Sequence, residues 1–177
     1  MTTFLRRMVR AALLDPTLYE EVEADRRLTW QAVAVILLAG LGGGLATGWP
    51  RPQGVLLGVL LALAGWSAWA LVTWWIGTRV LAEPQTRADV GELLRTIGFA
   101  ASPGLLQVFG VVPAARLACL AIAAVWMLAA MVVAVRQALD FRSTRRALAA
   151  CVLGWLVQVA VAAAAAALLA VTAGPAY

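Results

Sequence analysis

Long apolar runs alternate with short charged segments along this chain. No charged residue occurs in 28–50, 52–78, 96–115, 117–135 or 147–177. A membrane-spanning helix needs about 20 apolar residues, and a charge at the bilayer centre costs about 3 kcal/mol on the insertion scale. The pattern therefore predicts an all-α integral membrane protein, a bundle of five transmembrane helices with a short amphipathic N-terminal helical segment. The expected spans are 30–48, 55–77, 97–112, 117–139 and 147–173.

The chain before the first span reads as a cytoplasmic N-terminal helical segment, 1–27, ahead of the membrane domain, 28–177. Its first helix is expected to be amphipathic and to lie in the plane of the lipid headgroups. One face is apolar and is made of Phe4, Leu5, Met8, Val9, Ala12 and Leu13, with arginines opposite. Asp15 followed by Pro16 predicts the N-cap and first turn of a second short helix.

The third expected span is the shortest and contains a helix-breaking sequence near its centre. Ser102, Pro103 and Gly104 follow one another there. Proline removes a backbone hydrogen bond and glycine loosens the turn, so this sequence predicts a kink.

Charge distribution predicts the orientation. All nine acidic residues and twelve of the fourteen arginines fall in 1–27, 79–95 and 136–146, whereas Arg51 and Arg116 lie alone in the opposite turns. Arginine-rich connectors stay in the cytoplasm, so the N-terminus is expected inside and the C-terminus outside. The net charge of +5 is divided among the connectors rather than gathered into a groove, which disfavours nucleic acid as a partner.

Composition narrows the chemistry. The chain is 63% hydrophobic and has no His, and every basic residue is Arg, which indicates a GC-rich prokaryotic genome and a location in the cytoplasmic (inner) membrane. The predicted spans contain no Asp, Glu, His or Lys to act as an acid, a base or a metal ligand. We therefore expect no catalytic residue, no metal, no cofactor and no enzymatic activity. Cys119 and Cys151 are expected to be apolar helix residues.

Glycines recur at every fourth position in the first span, at Gly40, Gly44 and Gly48. This spacing places them on one helix face and lets another helix approach closely. The partner is either another span of the same chain or a second copy of the protein, so the seam is a packing contact or a homo-oligomer interface.

Several polar groups are expected at depth in the bilayer. Buried indole N–H groups need acceptors. The deep tryptophans are Trp66, Trp69, Trp126 and Trp155, and Ser67, Gln107 and Gln158 are candidate acceptors at similar depth. Gln107 and Gln158 also form a candidate polar interior beside the kink. At the membrane surface, Arg136 and Asp140 are four residues apart and are expected to pair.

Several short sequences resemble one membrane family, in the same order along the chain. They are Leu14-Asp15-Pro16 with the acidic run Tyr19–Asp25, Gly98-Phe99-Ala100-Ala101-Ser102-Pro103, Ala134–Asp140, Ser143–Ala147 and Gly154-Trp155. Together they resemble bacterial members of the Yip-domain family, named for the yeast Rab/Ypt-interacting protein. Phe99 stands where the family's Gly-Tyr-x-x-x-Pro sequence has Tyr.

The resemblance implies a five-span bundle with a cytoplasmic N-terminus. Its eukaryotic members are membrane adaptors that bind Rab GTPases, but their long N-terminus and its Asp-Leu-Tyr-Gly-Pro motif are absent here, so Rab binding is not transferred. The leading hypothesis is a scaffold that organises the bilayer or recruits another copy, a membrane protein or a cytoplasmic protein. The alternatives are a small channel or transporter near the kink, and membrane remodelling by the first helix. The expected partner face consists of Arg6, Arg7, Arg10, Glu20, Glu21, Glu23, Arg142, Arg145 and Arg146.

Overall fold

The structure is a computed structural model that describes residues 3–48 and 50–172, with the side chains of 158, 159 and 161–172 left out of the description. Every described element is helical. In chain order the α-helices are α1 (Thr3–Ala12), α2 (Pro16–Ala24), α3 (Thr29–Gly48), α4 (Pro52–Trp75), α5 (Val90–Ala100), α6 (Pro113–Ala138) and α7 (Thr144–Thr172). Two 3₁₀ helices, Arg26–Leu28 and Ser102–Val111, and a π-helical turn, Ile76–Val80, complete the described helices.

Among the residues that the structure describes, three helical stretches are long and apolar enough to cross a membrane. They are Arg26–Gly48, Pro52–Val80 and Pro113–Ala138. They match the first, second and fourth predicted spans, so the prediction of an all-helical fold with helices suited to span a membrane is confirmed for the described residues. α7 begins at Thr144 and follows the fifth predicted span to Thr172, the last described residue. The total of five spans stays a prediction.

The region of the third predicted span changes from one helix type to another. α5 ends at Ala100, and the 3₁₀ helix Ser102–Val111 continues from it. Pro103 has no N–H to donate, and the Ser102 hydroxyl donates to the Phe99 carbonyl over 2.7 Å. The Gly104 N–H donates to the Ala101 carbonyl over 2.8 Å, three residues back, which is the 3₁₀ pattern. The apolar stretch is thus divided between two helices.

α5 lies at the centre of the bundle, between α2, α3, α4 and α6. Its start is fixed by a capping box in which the Asp89 carboxylate accepts from the Glu92 N–H and the Glu92 carboxylate accepts from the Asp89 N–H. Leu93, Ile97 and Phe99 have no exposed surface. Because these four helices enclose α5, the connectors that contact its first turn lie close to one another.

α1 and α2 form a hairpin that packs into the same core as α3, α5 and α6. Asp15 caps α2 by accepting from the Thr17 N–H over 3.0 Å, and the preceding Leu14 takes a positive φ of 62° in the turn. This confirms the predicted cap. Met8 is buried in the core, whereas Leu5, Val9 and Leu13 remain exposed. Thus the apolar face predicted for α1 is divided between the core and the surface.

Candidate functional site

The arginines of α1 bind the start of α2 and its middle. Arg7 Nε donates to Glu21 Oε1 over 2.8 Å, and Arg10 Nη1 donates to Glu21 Oε2 over 2.8 Å. Arg10 Nε also donates to Asp15 Oδ2 over 2.7 Å. Three residues expected to face a partner, Arg7, Arg10 and Glu21, therefore contact one another and join the two helices. Arg6, by contrast, is exposed.

These contacts shift the ionisation of the network. The hydrogen bonds that Arg10 donates to Asp15 and, second in effect, to Glu21 raise the pKa of Arg10, and the hydrogen bond from Arg10 lowers the pKa of Asp15. For Glu21, burial acts to raise the pKa, but the hydrogen bonds from Arg7 and Arg10 outweigh it and bring the pKa below its usual value. The hairpin is thus held in its fully charged form near neutral pH.

Arg95, a residue of α5, is almost fully buried where it contacts the end of α2. Arg95 is 4% exposed, and its Nε donates to the Val22 carbonyl over 3.0 Å while Nη2 donates to the Glu23 carbonyl. α2 ends at Ala24, so both carbonyls belong to its last turn, where the helix leaves acceptors unpaired and carries a partial negative charge. Arg95 therefore caps α2 from α5 and fixes where the N-terminal hairpin sits.

Beside Arg95 the three charged segments of the sequence meet at one end of the bundle. We call this the charged end and define it as residues 20–26, 81–95 and 136–146. Gln137 Nε2 donates to Glu20 Oε1 over 3.0 Å, and Gln85 Nε2 donates to the Asp140 carbonyl over 3.1 Å. Arg26 lies 3.8 Å from Asp89. These contacts bring together residues that are far apart in the chain.

A cleft of about 650 Å³ opens at the charged end. Its lining combines carboxylates with guanidinium groups from all three segments. The lining residues are Glu20, Glu23, Ala24, Arg26, Glu92, Arg95, Arg136, Gln137, Asp140, Phe141 and Arg142. Of the residues predicted for a partner face, the cleft thus collects Glu20, Glu23 and Arg142.

Glu23 is a partly buried carboxylate in the cleft whose charge its neighbours do not balance. Burial raises its pKa to about 7, and the carboxylates of Glu92, Asp140 and Glu20 act in the same direction, whereas Arg95 opposes them. Its main-chain carbonyl is bound by Arg95, but its carboxylate has no hydrogen-bond contribution to offset the burial. An incoming cation would therefore find this carboxylate available.

The expected pair between Arg136 and Asp140 does not form. Arg136 Nε donates to the Phe141 carbonyl over 3.4 Å and Nη1 to the Thr144 hydroxyl over 3.3 Å. Asp140 takes a positive φ of 52° at the end of α6, so the chain turns before a helical i, i+4 contact can be made. That prediction was wrong because it assumed a helix through residue 140.

The remaining arginines of the predicted partner face differ in exposure. Arg146 Nη1 lies 3.3 Å from Glu83 Oε1 and also donates to the Leu81 carbonyl, so it binds the 81–89 connector. Arg142 and Arg145 have exposed side chains. Arg142 lines the cleft, whereas Arg145 lies outside its lining.

The glycine seam packs within the chain. A Cβ added at Gly44 would lie 2.7 Å from the Val55 carbonyl oxygen, and one at Gly48 would lie 2.6 Å from the Gly54 carbonyl carbon. At Gly40 the nearest atom is the Ala62 Cβ, at 2.8 Å. All three glycines thus face α4, and at Gly44 and Gly48 the nearest atoms of that helix belong to its backbone.

Gln107 borders two apolar cavities rather than a polar interior. Its Nε2 lies 3.6 Å from the Met127 sulfur, its hydrogen-bond contact in the described region. The cavities have volumes of about 310 Å³ and about 570 Å³. The side chain of Gln158, the other expected member, lies outside the described residues.

Two of the four deep indoles donate to backbone carbonyls, which the sequence did not identify. Trp66 donates to the Leu94 carbonyl over 3.0 Å and Trp126 to the Ala12 carbonyl over 2.7 Å. The Ser67 hydroxyl donates to the Leu63 carbonyl within its own helix. Trp69 Nε1 is buried and finds no acceptor among the described residues. The prediction of side-chain acceptors was wrong for Trp66 and Trp126.

Arg95, Gln137 and Asp140 were missing from the predicted partner face. Arg95 had one signal in the sequence, since it is the last charge before the apolar run 96–115, which predicts a position at the boundary of the membrane. Gln137 lies in the last turn of α6 and Asp140 just after it, and both fall in the sequence Ala134–Asp140 that resembles the family, but neither signal assigned them to a partner face. Within 3–48 and 50–172, no group of three or more His, Cys, Asp or Glu residues could hold a metal ion.

Comparison with known proteins gave one result. Searches of curated proteins and of solved structures found no match. The family model described as the Yip1 domain matches residues 11–166, which include α2 to α6, the charged end and most of α7. The chain therefore belongs to the Yip1 domain family.

Proposed function

We propose that this membrane protein is a non-enzymatic scaffold that recruits a protein partner through the cleft at its charged end, and that this end faces the cytoplasm. The observation that carries the proposal is the convergence of three separate charged segments on one cleft of about 650 Å³. The orientation is supported by the twelve arginines that share this side of the predicted topology, against Arg51 and Arg116 on the other.

The cleft has the properties of a recognition surface. Its walls are positioned by contacts within the protein, such as Arg95 with α2 and Arg146 with Glu83, so its shape does not depend on a ligand. It offers both signs of charge, and complementary charges set which partner binds and how fast. Glu23 supplies a half-buried carboxylate, and a basic side chain of a partner would bring its pKa down again.

Catalysis and transport receive less support. The predicted spans contain no acid or base for an intramembrane reaction. Two cavities lie beside the kink sequence, and Gln107 contributes a polar side chain to both. Their other described lining is apolar, apart from indole nitrogens. Such walls do not replace the hydration shell of an ion. We therefore propose no channel and no enzyme.

Site-specific photocrosslinking in native membranes tests the recruitment. A photoreactive residue at position 142, in the cleft, is compared with one at position 117, an exposed site at the start of α6 (Leu117, 81% exposed). We expect a discrete crosslinked protein from 142 and none from 117. Introducing Glu20→Arg on the cleft wall should reduce that product several-fold, because it changes the charge the partner meets.

Other outcomes have defined meanings. Crosslinks from both positions to lipid alone would contradict recruitment. A product with twice the mass of the chain would identify the partner as a second copy. Crosslinking from 142 that is unaffected by Glu20→Arg would show that the charges of the cleft do not select the partner, which would contradict the proposed recognition.

A further inference from the structure

The N-terminal hairpin of α1 and α2 reaches the middle of α6. Trp126 Nε1 donates to the carbonyl of Ala12, the last residue of α1, over 2.7 Å. The two charged residues of α6, Arg116 and Arg136, each lie ten residues from Trp126, or about 15 Å along the helix. The hydrocarbon of a bilayer is about 30 Å thick. A bilayer with these two arginines at its boundaries therefore has Trp126 at its centre and Ala12 within the reach of one indole side chain.

The hairpin extends to this depth from the charged end. Gln137, in the last turn of α6, donates to Glu20 of α2 over 3.0 Å, so α2 lies beside the end of α6. Eleven residues of α6, or about 16 Å, separate Gln137 from Trp126. α1 also contacts the 3₁₀ helix Ser102–Val111, which begins only after α5 has ended. The hairpin thus runs alongside the bundle towards the middle of α6 and does not lie across its end.

The outer face of α1 carries a row of exposed apolar side chains. Leu5, Val9 and Leu13 follow at four-residue spacing, which places them on one helix face, and the Leu13 N–H still donates to the Val9 carbonyl over 2.9 Å. Leu13, next to the contact with Trp126, is the most exposed of the three, at 71%. Val125, on α6 beside Trp126, is 70% exposed. The exposed apolar surface of the hairpin therefore continues into the surface of α6 that faces lipid.

The charges of the hairpin are balanced within it. Arg7 and Arg10 form ion pairs with Glu21 and Asp15, two groups of each sign, with N–O distances of 2.7 and 2.8 Å. Charged side chains in or near a bilayer pair with one another or extend to the headgroups. Arg6 has an exposed side chain in the first half of α1, away from the tip of the hairpin, so it can extend in this way. These charges are therefore compatible with a position inside a leaflet.

We propose that α1 and α2 form a re-entrant hairpin embedded in the leaflet on the side of the charged end, and that Leu5, Val9 and Leu13 contact the acyl chains of that leaflet. This position is deeper than the headgroup plane expected for an amphipathic helix, because the contact with Trp126 holds the tip beside the middle of α6. A water-soluble partner cannot reach the outer face of α1, which leaves the charged end for recruitment. The hairpin argument uses no charge of the cleft, so either proposal can fail without the other.

Depth measurement with nitroxide labels on the full-length protein in phospholipid nanodiscs tests the proposal. Single labels are attached to Leu13→Cys, Val125→Cys and Glu20→Cys in a chain that also carries Cys119→Ala and Cys151→Ala. Val125 is the control for lipid contact on α6, and Glu20 is the exposed control on the same hairpin at the charged end. Oxygen concentrates in hydrocarbon, whereas a nickel chelate stays in water. We expect oxygen to relax the label at position 13 several-fold more than the chelate does, as at position 125, and the reverse at position 20.

A label at Leu13 that the chelate reaches as readily as the label at Glu20 would overturn the proposal, because the hairpin would then lie in water. A photoreactive residue at position 13 gives a second measurement that keeps both native cysteines, so it decides even where the chain without cysteines does not fold. We expect it to form an adduct with phospholipid. A product with twice the mass of the chain would overturn the lipid contact, since a second copy would then cover this face, and so would the absence of any lipid adduct.

Discussion

The α3–α4 contact and the charged end hold helices together by different interactions. Between α3 and α4, glycine backbones approach one another so closely that a Cβ at Gly44 or Gly48 would overlap main-chain atoms. At the charged end, helices are joined by long polar side chains that reach carbonyls, as Arg95 reaches Val22 and Glu23. The α3–α4 contact thus depends on close steric packing, and the charged end depends on hydrogen bonds.

The difference follows from the solvent at each place. Lipid tails are as apolar as leucine, so spans gain little from burying apolar surface against each other and depend on close packing of small residues. At the membrane surface water competes for every polar group, and an ion pair stabilises only where it is buried or pairs with several partners. We therefore expect the stability lost on substitution to depend on steric fit in the α3–α4 contact. At the charged end it should depend on how deeply the replaced polar side chain is buried.

The largest effect is expected from Gly44→Leu in the α3–α4 contact. The new side chain would begin 2.7 Å from the Val55 carbonyl oxygen, so the two backbones must separate, and we expect a loss of about 3 kcal/mol or more in the free energy of unfolding. Gly43→Leu is the control, because the nearest atom there is the end of the Gln107 side chain, which can move. Unfolding in mixed detergent measures both. Equal losses would show that α3 and α4 do not depend on this close approach.

Arg95→Met should have the next largest effect, at the charged end. It removes donors from the carbonyls of Val22 and Glu23 and leaves the last turn of α2 uncapped, at a cost of about 2 kcal/mol. Relative to the wild type, amide hydrogen exchange in Arg95→Met should accelerate more in α2 than in α4. The exposed Arg87→Met provides the control. Unchanged protection of α2 would mean that the hairpin is held by its apolar contacts alone.

Glu23→Gln sharpens the comparison through pH. The folded protein has a Glu23 pKa of about 7, against 4.5 for the free side chain, so between these values it binds more protons than the unfolded chain. Stability due to this group is therefore greatest at or below about pH 4.5 and falls until about pH 7. Since Glu23 is partly exposed and solvent screens its charge, we expect the fall to be on the order of 1 kcal/mol. Thermal unfolding at pH 5 and pH 8 should show a smaller difference in Glu23→Gln than in the wild type; an equal difference would assign the effect to other groups.

The smallest effect is expected in the hairpin network. Arg7 and Glu21 are both partly exposed, so a double-mutant cycle with Arg7→Gln and Glu21→Gln should give a coupling energy of about 0.5 kcal/mol, decreasing at high salt. Chemical denaturation at two salt concentrations measures it. A coupling above about 2 kcal/mol would place this pair with the buried contacts such as Arg95, and the distinction between the two regions would weaken.

The sequence predicted the features that depend on local composition. Apolar runs of membrane length identified the spans of α3, α4 and α6 because a buried charge is excluded from hydrocarbon wherever the chain goes. The Asp15 cap was also predictable, because the acceptor and the donor of its hydrogen bond are only two residues apart in the sequence. Pro103 marked the end of α5, although not the 3₁₀ helix that follows.

The tertiary structure decided everything that joins distant positions. Whether Gly44 faces α4 or a second copy, which carbonyl binds Trp126, and why Arg95 is buried depend on residues up to 114 positions apart. The cleft follows the same rule, because its charges come from three segments that look alike as solvated connectors. Charge patterning predicts that those segments share one side of the membrane, but only the enclosure of α5 by its neighbours brings them to one place, since packing and not composition sets the distances between them.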